Sequence, residues 1–290
     1  MSADGGARLL VALQYLLPQH LLSRAVHWLA RNRTSWLKNA LIDNFAVNYR
    51  PDLSEAEQPD PRRYESFNAF FTRALRPGAR PVDASPATLV SPVDGVVSQI
   101  GRLDGSWLVQ AKGLAYTLES LLDEATPAWA PVFRGGSFAT LYLAPSNYHR
   151  VHMPLAGSLQ AAWYVPGQLF SVNAMTASAV SGLFARNERV VCIFSEGTLS
   201  FALIMVGALF VGSMTTLWHG DVTPRSPRIR AELALNFTAA PLRQDKGAEM
   251  GRFNMGSTVI LLLPPGRSEW LASFAAGVPV RVGQALASLV

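Results

Sequence analysis

Ser257 follows Gly256 directly and opens the apolar run Thr258-Val259-Ile260-Leu261-Leu262-Leu263, so it stands where a loop turns into a buried strand. From there a serine hydroxyl reaches the carbonyl just before it. Glycine leaves that carbonyl unshielded and tolerates unusual backbone angles, so an N-to-O acyl shift across the Gly256-Ser257 bond is sterically feasible. The same residues also read simply as a turn into a core strand. A serine reacts only when a base takes its proton, and a base works best when a carboxylate fixes its tautomer. His149 and His152, three residues apart after the run Thr140 to Leu143, supply two imidazoles near a strand end, one to act on a site and the other to orient or protonate. They read equally as satisfied polar residues, or as metal ligands lacking a third partner. Asp94, in Pro92-Val93-Asp94-Gly95, is the carboxylate candidate, its other reading being an ordinary turn aspartate.

These residues need elements that bring distant parts of the chain together. From about residue 80 onward, short apolar runs recur between Gly, Pro, Asp and Ser clusters: Thr88 to Val90, Gly95 to Ile100, Trp107 to Gln110, Phe138 to Leu143, Ala161 to Val165 and Val190 to Phe194. Their lengths and punctuation predict strands, with Leu118 to Leu122 a helical exception. The uncharged window Gly197 to Trp218 is long enough to cross a membrane, but Gly207, Gly212 and the cluster Ser213, Thr215 and Thr216 interrupt it. It reads better as two buried strands, Phe201 to Val206 and Leu209 to Val211. Pro224 to Arg230 is basic and turn-prone, hence a surface loop, and a further loop surrounds Gln244 to Glu249.

Helices precede this body. Leu9 to Leu17 is apolar apart from Gln14, and beyond Pro18 the residues Leu21, Leu22, Ala25, Val26, Trp28 and Leu29 continue at helical spacing. Pro18, Gln19, His20 and Arg24 break any window of bilayer length. Two readings fit: an ordinary amphipathic helix packed on the body, or an interfacial helix pair with Trp28 and Trp36 at headgroup depth and Arg24, Arg31, Arg33 and Lys38 facing anionic lipid. A third helical segment near Trp36 to Tyr49, an acidic connection from Pro51 to Pro61 and a short helix showing Phe67, Phe70, Phe71 and Leu75 on one face complete the region. The expected class is α+β: N-terminal amphipathic helices in a membrane-associating region, residues 1–78, then a mainly antiparallel β body with short helices, residues 79–290.

Composition narrows the function. Apolar residues make up 49% of the 290 and charged residues 16%, and mean hydropathy is +0.18, which points toward contact with a membrane or a large partner. A formal charge of +5 suits anionic lipid. No dense Lys/Arg cluster with interleaved aromatics is present, so nucleic acid is set aside. The lone cysteine, Cys192, excludes an intrachain disulfide framework and a cysteine metal site, and reads as a buried thiol. Asp4 ahead of the apolar run, with no small-residue cleavage site behind it, argues against a secretory signal.

Five segments taken in order carry a resemblance: Pro92-Val93-Asp94-Gly95, Tyr148-His149-Arg150-Val151-His152-Met153-Pro154, Phe170-Ser171-Val172-Asn173, Phe184 to Arg189, and Gly251-Arg252-Phe253-Asn254-Met255-Gly256-Ser257-Thr258. Together they are similar to the motifs of phosphatidylserine decarboxylase proenzymes of the bacterial and mitochondrial type, and the likeness runs from residue 13 to residue 284. The family usually has leucine where this chain has Met255, a change of little volume. The resemblance implies self-cleavage at the Gly256-Ser257 bond by a triad of Asp94, His152 and Ser257, giving a β chain of residues 1–256 and an α chain of residues 257–290. It further implies that Ser257 becomes a covalent pyruvoyl group, with no metal and no pyridoxal phosphate. That group would form a Schiff base with the substrate amine and act as an electron sink. His149 would serve the decarboxylation step. Implied with it are phosphatidylserine as substrate and phosphatidylethanolamine as product, and Phe170, Ser171 and Asn173 toward the substrate. So are a homodimer, and a peripheral position at the anionic, cytoplasmic face of the inner membrane. Three alternatives stay open: a triad hydrolase with an intact chain, a pyruvoyl-dependent decarboxylase of a free amino acid, and a non-catalytic peripheral lipid-binding protein.

Overall fold

The run Thr258–Leu263 is apolar at every position after the threonine because the strand it forms is buried at every position, with neighbours on both edges. The computed structural model describes residues 11–123, 127–209, 213–233 and 242–290. Thr258–Leu263 pairs antiparallel with Ser137–Tyr142 on one side and Leu199–Val206 on the other. Outward from these lie Gly95–Arg102 on the first side and Arg189–Glu196 then Gly157–Val165 on the second, within a nine-stranded sheet. Every strand pair in it is antiparallel, so the α+β reading holds.

A smaller, four-stranded sheet runs in the order Gly220–Asp221, Met214–Thr216, Glu249–Phe253 and Arg150–His152. Three neighbouring strands of the large sheet continue into it in the same order. Leu199–Val206 leads to Met214–Thr216, Glu249–Phe253 leads to Thr258–Leu263, and Ser137–Tyr142 leads to Arg150–His152. All three are interrupted at the same level, and residues 254–257 are the interruption in the middle one. Hydrogen bonds stitch the break: Leu143 N donates to Ser257 O at 2.9 Å, Phe253 N to His149 O at 3.0 Å and Asn254 N to Ser213 O at 2.9 Å.

Of the two strands expected in the window Gly197 to Trp218, Phe201 to Val206 lies within Leu199–Val206. The other, Leu209 to Val211, falls across residues 210–212, outside the described residues. Among the described residues no helix is long and apolar enough to cross a membrane. Cys192 is a buried thiol in Arg189–Glu196, and burial pushes its pKa up.

The N-terminal part is helical over residues 11–16, Gln19–Ala30, Ser35–Tyr49 and Phe67–Phe71. Two buried glutamines dock it on the β body: the carbonyl oxygens of the Gln14 and Gln19 side chains accept from Ser171 N at 2.8 Å and Leu169 N at 2.7 Å. A separate apolar cluster of Ala30, Ile42, Phe45, Phe67, Phe70 and Phe71 ties the helices to one another, and Met255 packs against both this cluster and the main core. Trp28 and Trp36 are exposed. The cations expected to face lipid divide. Lys38 is buried, its ammonium donating to Asn39 Oδ1 and Arg62 O at 2.9 Å each, because the helix turns that face toward the protein. Arg31 is held by Asp221, and Arg33 pairs with Glu65 at 3.0 Å. Arg24 is exposed.

Candidate active site

Two cavities flank the break in the three strands. One, of about 310 Å³, is mostly apolar and is lined by Phe45, Tyr49, Phe71, Leu143, Met255 and Gly256 among others. The other, of about 210 Å³, is polar and holds Asp94, Arg73, Arg80 and Tyr148. The segment after Tyr142 separates them: Leu143 and Pro145 face the apolar cavity, Ser146 to Tyr148 the polar one.

His149 and His152 diverge because an extended chain alternates its side chains, and an odd spacing puts two residues on opposite faces. His149 is fully buried on the Gly256 side. A methyl group placed on Gly256 would stand 3.5 Å from His149 Cε1 and 3.3 Å from Leu143 O, which puts the glycine in close contact with the His149 ring. The ring stacks on Phe71, and its Nε2 lies 3.1 Å from Pro145 O. A carbonyl only accepts, so Nε2 carries the proton and Nδ1 keeps its lone pair. Burial holds the His149 pKa down to about 3, so the ring is neutral near pH 7.

His152 lies on the opposite face. Its Nδ1 donates to Gly247 O at 2.8 Å, which leaves Nε2 as the basic nitrogen, and Tyr148 donates its hydroxyl to that atom at 3.0 Å. The tautomer-fixing contact expected from Asp94 is therefore made by the Gly247 carbonyl. Burial lowers the His152 pKa and raises that of Tyr148 to about 12. Asp94 itself is gripped by Arg80, whose Nε and Nη2 donate at 2.9 and 2.6 Å, and it accepts from Val282 N at 2.9 Å. Arg80 also bonds Glu55 at 2.8 Å. Asp94 nevertheless neighbours His152: His152 N donates to Pro92 O at 2.8 Å, and the Asp94 charge acts on the His152 ring.

Ser257 is fully buried, and its hydroxyl donates to the carbonyl of Val206 in the adjoining strand. Tyr142 pairs with Val96 on one edge and Thr258 on the other, which sets those two backbones about 10 Å apart, two interstrand spacings, with Asp94 two residues before the first and Ser257 one before the second. The structure thus gathers Asp94, His149, His152, Gly256 and Ser257 around one break, with each of the three proposed triad members hydrogen-bonded to a partner outside the triad. Ser171 and Asn173 line the apolar cavity with Gly256. Phe170 does not; its ring packs on Tyr15 with centroids 4.7 Å apart, and Arg186 lies over it at 5.3 Å. Sequence reasoning assigned no role to Arg80, Tyr148, Gly247 or Phe71: Tyr148 sits in the histidine motif four residues before its partner, while Arg80, Gly247 and Phe71 act through contacts that no local motif announces.

A central strand interrupted at a glycine-serine pair, with a buried His149 on one side and a half-buried His152 on the other, is the setting in which the comparisons with known proteins fall. A sequence model described as phosphatidylserine decarboxylase matches residues 67–288, and a second, described as PSD, matches residues 9–50. The chain belongs to the phosphatidylserine decarboxylase family. It is similar to the phosphatidylserine decarboxylase proenzyme of Pseudomonas fluorescens, 51% identical over 279 residues that cover 96% of each chain. Its similarity to the proenzyme of the same name from Methylococcus capsulatus is 50% over 281 residues, covering 97% of this chain and 96% of the other. The Pseudomonas putida (strain GB-1) proenzyme is 49% identical over 284 residues, covering 98% and 99%.

Proposed function

We propose that this chain is a proenzyme that cuts itself between Gly256 and Ser257 and then converts phosphatidylserine to phosphatidylethanolamine and carbon dioxide. The observation that carries this reading is the position of Gly256 on the wall of the apolar cavity with Ser257 buried behind it, in a chain of this family. In the self-cleavage step the Ser257 hydroxyl gives its proton to His152 Nε2 and its oxygen attacks the Gly256 carbonyl. The peptide C–N bond breaks as its nitrogen takes that proton back from His152 and leaves as the Ser257 amine, and an ester replaces the amide. Removal of the Ser257 α-proton then expels the ester oxygen as the Gly256 carboxylate, and the dehydroalanine left at residue 257 tautomerises to an imine that one water molecule hydrolyses to ammonia and the pyruvoyl ketone. Reaching the first step from the arrangement above requires the Ser257 hydroxyl to leave Val206 O and the Tyr148 hydroxyl to leave His152. Asp94, held ready by Arg80, favours the protonated His152 that forms.

Residue 257 fits a pyruvoyl group: Leu143 N holds its carbonyl at 2.9 Å and the buried strand fixes all that follows, while the side toward Gly256 meets the cavity. Such a group, once made, accepts the electrons released when a carboxylate leaves, and it needs no added coenzyme. The chain's own residues do the rest. Phe45, Tyr49, Phe71 and Met255 exclude water from the cavity, Ser171 and Asn173 offer polar contacts to a headgroup, and His149 Nδ1, which keeps its lone pair, takes a proton from the substrate ammonium and returns it to the substrate carbon. The exposure of Trp28 and Trp36 supports a reading in which the helices lie at a membrane surface from which the lipid is drawn, and the same reading has the protein at the cytoplasmic face of the inner membrane as a homodimer.

Intact mass and turnover test this. Two fragments, residues 1–256 and residues 257–290 with a ketone-bearing start, together with conversion of phosphatidylserine without added coenzyme, are expected. A single uncut chain that turns the lipid over at full rate refutes it, and turnover of free serine in preference to the lipid favours the amino acid decarboxylase. Sedimentation with vesicles and sedimentation equilibrium check the membrane and dimer components separately.

A further inference from the structure

Helix Gln19–Ala30 and the segment from Pro224 to Arg228 enclose a cavity of about 220 Å³ that shares no lining residue with the cavities flanking Ser257. Its wall is basic. Arg24, Arg225 and Arg228 line it with His20, and among the described residues none of the three arginines is ion-paired. Arg225 is braced over the Tyr164 ring, 5.9 Å from its centroid. One carboxylate, Glu188, shares the wall and is already engaged, accepting from the Tyr164 hydroxyl at 3.1 Å. Three guanidinium groups against that one acid leave a net positive recess.

A second, independent feature points to a ligand. Ser23 lines the same cavity, is only 3% exposed, and its hydroxyl has no hydrogen-bond partner among the described residues. A buried donor without an acceptor is disfavoured unless something enters to satisfy it. Arginine forks beside a hydroxyl donor suit the oxygens of a phosphate ester. The rim decides between a soluble phosphate and a lipid. Leu21 and Trp28 flank Arg24 on one helix face and are 66% and 67% exposed, and Ile229, next to Arg228, is 60% exposed. Large apolar side chains left in water around a basic recess match a membrane surface, where the apolar rim enters the lipid and the cations meet the headgroups.

We propose that this cavity is a second lipid site, separate from the cleft at Gly256, that binds the phosphate of an anionic glycerophospholipid. The two sites share a wall segment: Leu169 lines this one and Ser171 the other.

The test uses the purified full-length protein and vesicles of phosphatidylcholine with or without phosphatidylglycerol. Arg225→Gln with Arg228→Gln is expected to weaken binding to the phosphatidylglycerol vesicles about thirtyfold, from the usual contribution of two cations at an anionic surface. Arg225→Lys with Arg228→Lys keeps the charge and loses the fork, and is expected to weaken binding about fivefold. Ser23→Ala is expected to weaken it about fivefold as well, with the melting temperature of the free protein unchanged because no bond is lost there. Dihexanoylphosphatidylglycerol should raise the melting temperature of the parent protein more than inorganic phosphate does. Equal binding by the parent and the lysine pair would reveal diffuse attraction and overturn the site. Equal stabilisation by inorganic phosphate would overturn its assignment to a lipid.

Discussion

His149 lies stacked on Phe71, ring centroids 4.1 Å apart and planes inclined by 19°, so a short helix of the N-terminal region holds the imidazole that faces Gly256. The same helix end is tied to the next strand, because Arg150 Nε donates to Thr72 O at 2.9 Å. The helical region therefore helps to shape the site. Phe71→Leu keeps an apolar side chain but removes the stacking partner. Processing should survive, kcat should fall about tenfold and KM should change less, as steady-state kinetics on a short-chain phosphatidylserine would show.

Ser257→Ala should leave one uncut chain. Its loss of the hydrogen bond to Val206 O should cost only about 1 kcal/mol, so a folded precursor accumulates. Intact mass spectrometry and urea unfolding check both parts, and a processed alanine variant would remove the proposed nucleophile.

The two histidines should separate by phenotype. His152→Ala and Asp94→Asn should retain the precursor, whereas His149→Ala should mature to two chains and turn over slower by about a hundredfold or more, the usual contribution of a general acid. Denaturing gels followed by turnover assays distinguish the two. A precursor that persists only in His149→Ala would exchange their roles, and the closeness of His149 to Gly256 makes that the instructive outcome.

Arg80→Gln should release Asp94 and leave its buried carboxylate without a counter-charge. The side chains are 11% and 9% exposed, so the cost should be about 3 kcal/mol or more, as for other broken buried pairs. Self-cleavage should slow in proportion to the displacement of Asp94, and time courses of freshly synthesised protein would measure it.

Acid should expose the burial of His149. The unfolded chain protonates this imidazole below its ordinary value of 6.5 while the folded chain keeps it neutral down to about 3, so stability falls as pH drops through that window. Glu188 has the opposite sign: burial raises its carboxyl to about 7 from 4.5, so the folded state holds a proton there that the unfolded state releases, and stability rises as pH drops between those values. The comparison must therefore be made within one position. In an uncut Ser257→Ala background, the stability advantage of His149 over His149→Gln should shrink by about 2 kcal/mol between pH 7 and pH 5 in urea titrations.

Much of this architecture was written into local sequence. Strand runs such as Val190 to Phe194 and Phe201 to Val206 announced themselves by β-branched and apolar density, and the helices by their spacing. The short strands Arg150–His152 and Met214–Thr216 carry too few residues for any period to show, so the smaller sheet was invisible. The reactive residues were legible as types, but their partners were not. Arg80 reaches Asp94 from fourteen positions away, and Gly247 reaches His152 from ninety-five. Lys38 was misjudged because helical spacing alone does not say which polar position turns inward to cap a neighbouring backbone.

The strand Thr258–Leu263 is flanked on both edges. A nick just before it alters connectivity without liberating a peptide, since the shorter piece supplies the middle rung of the largest sheet. Maturation would then leave the overall shape almost untouched, and native gel filtration would return one species where denaturant resolves two. What the break changes is chemical: a terminus is created deep inside an already finished scaffold, where no separately made peptide could easily be threaded.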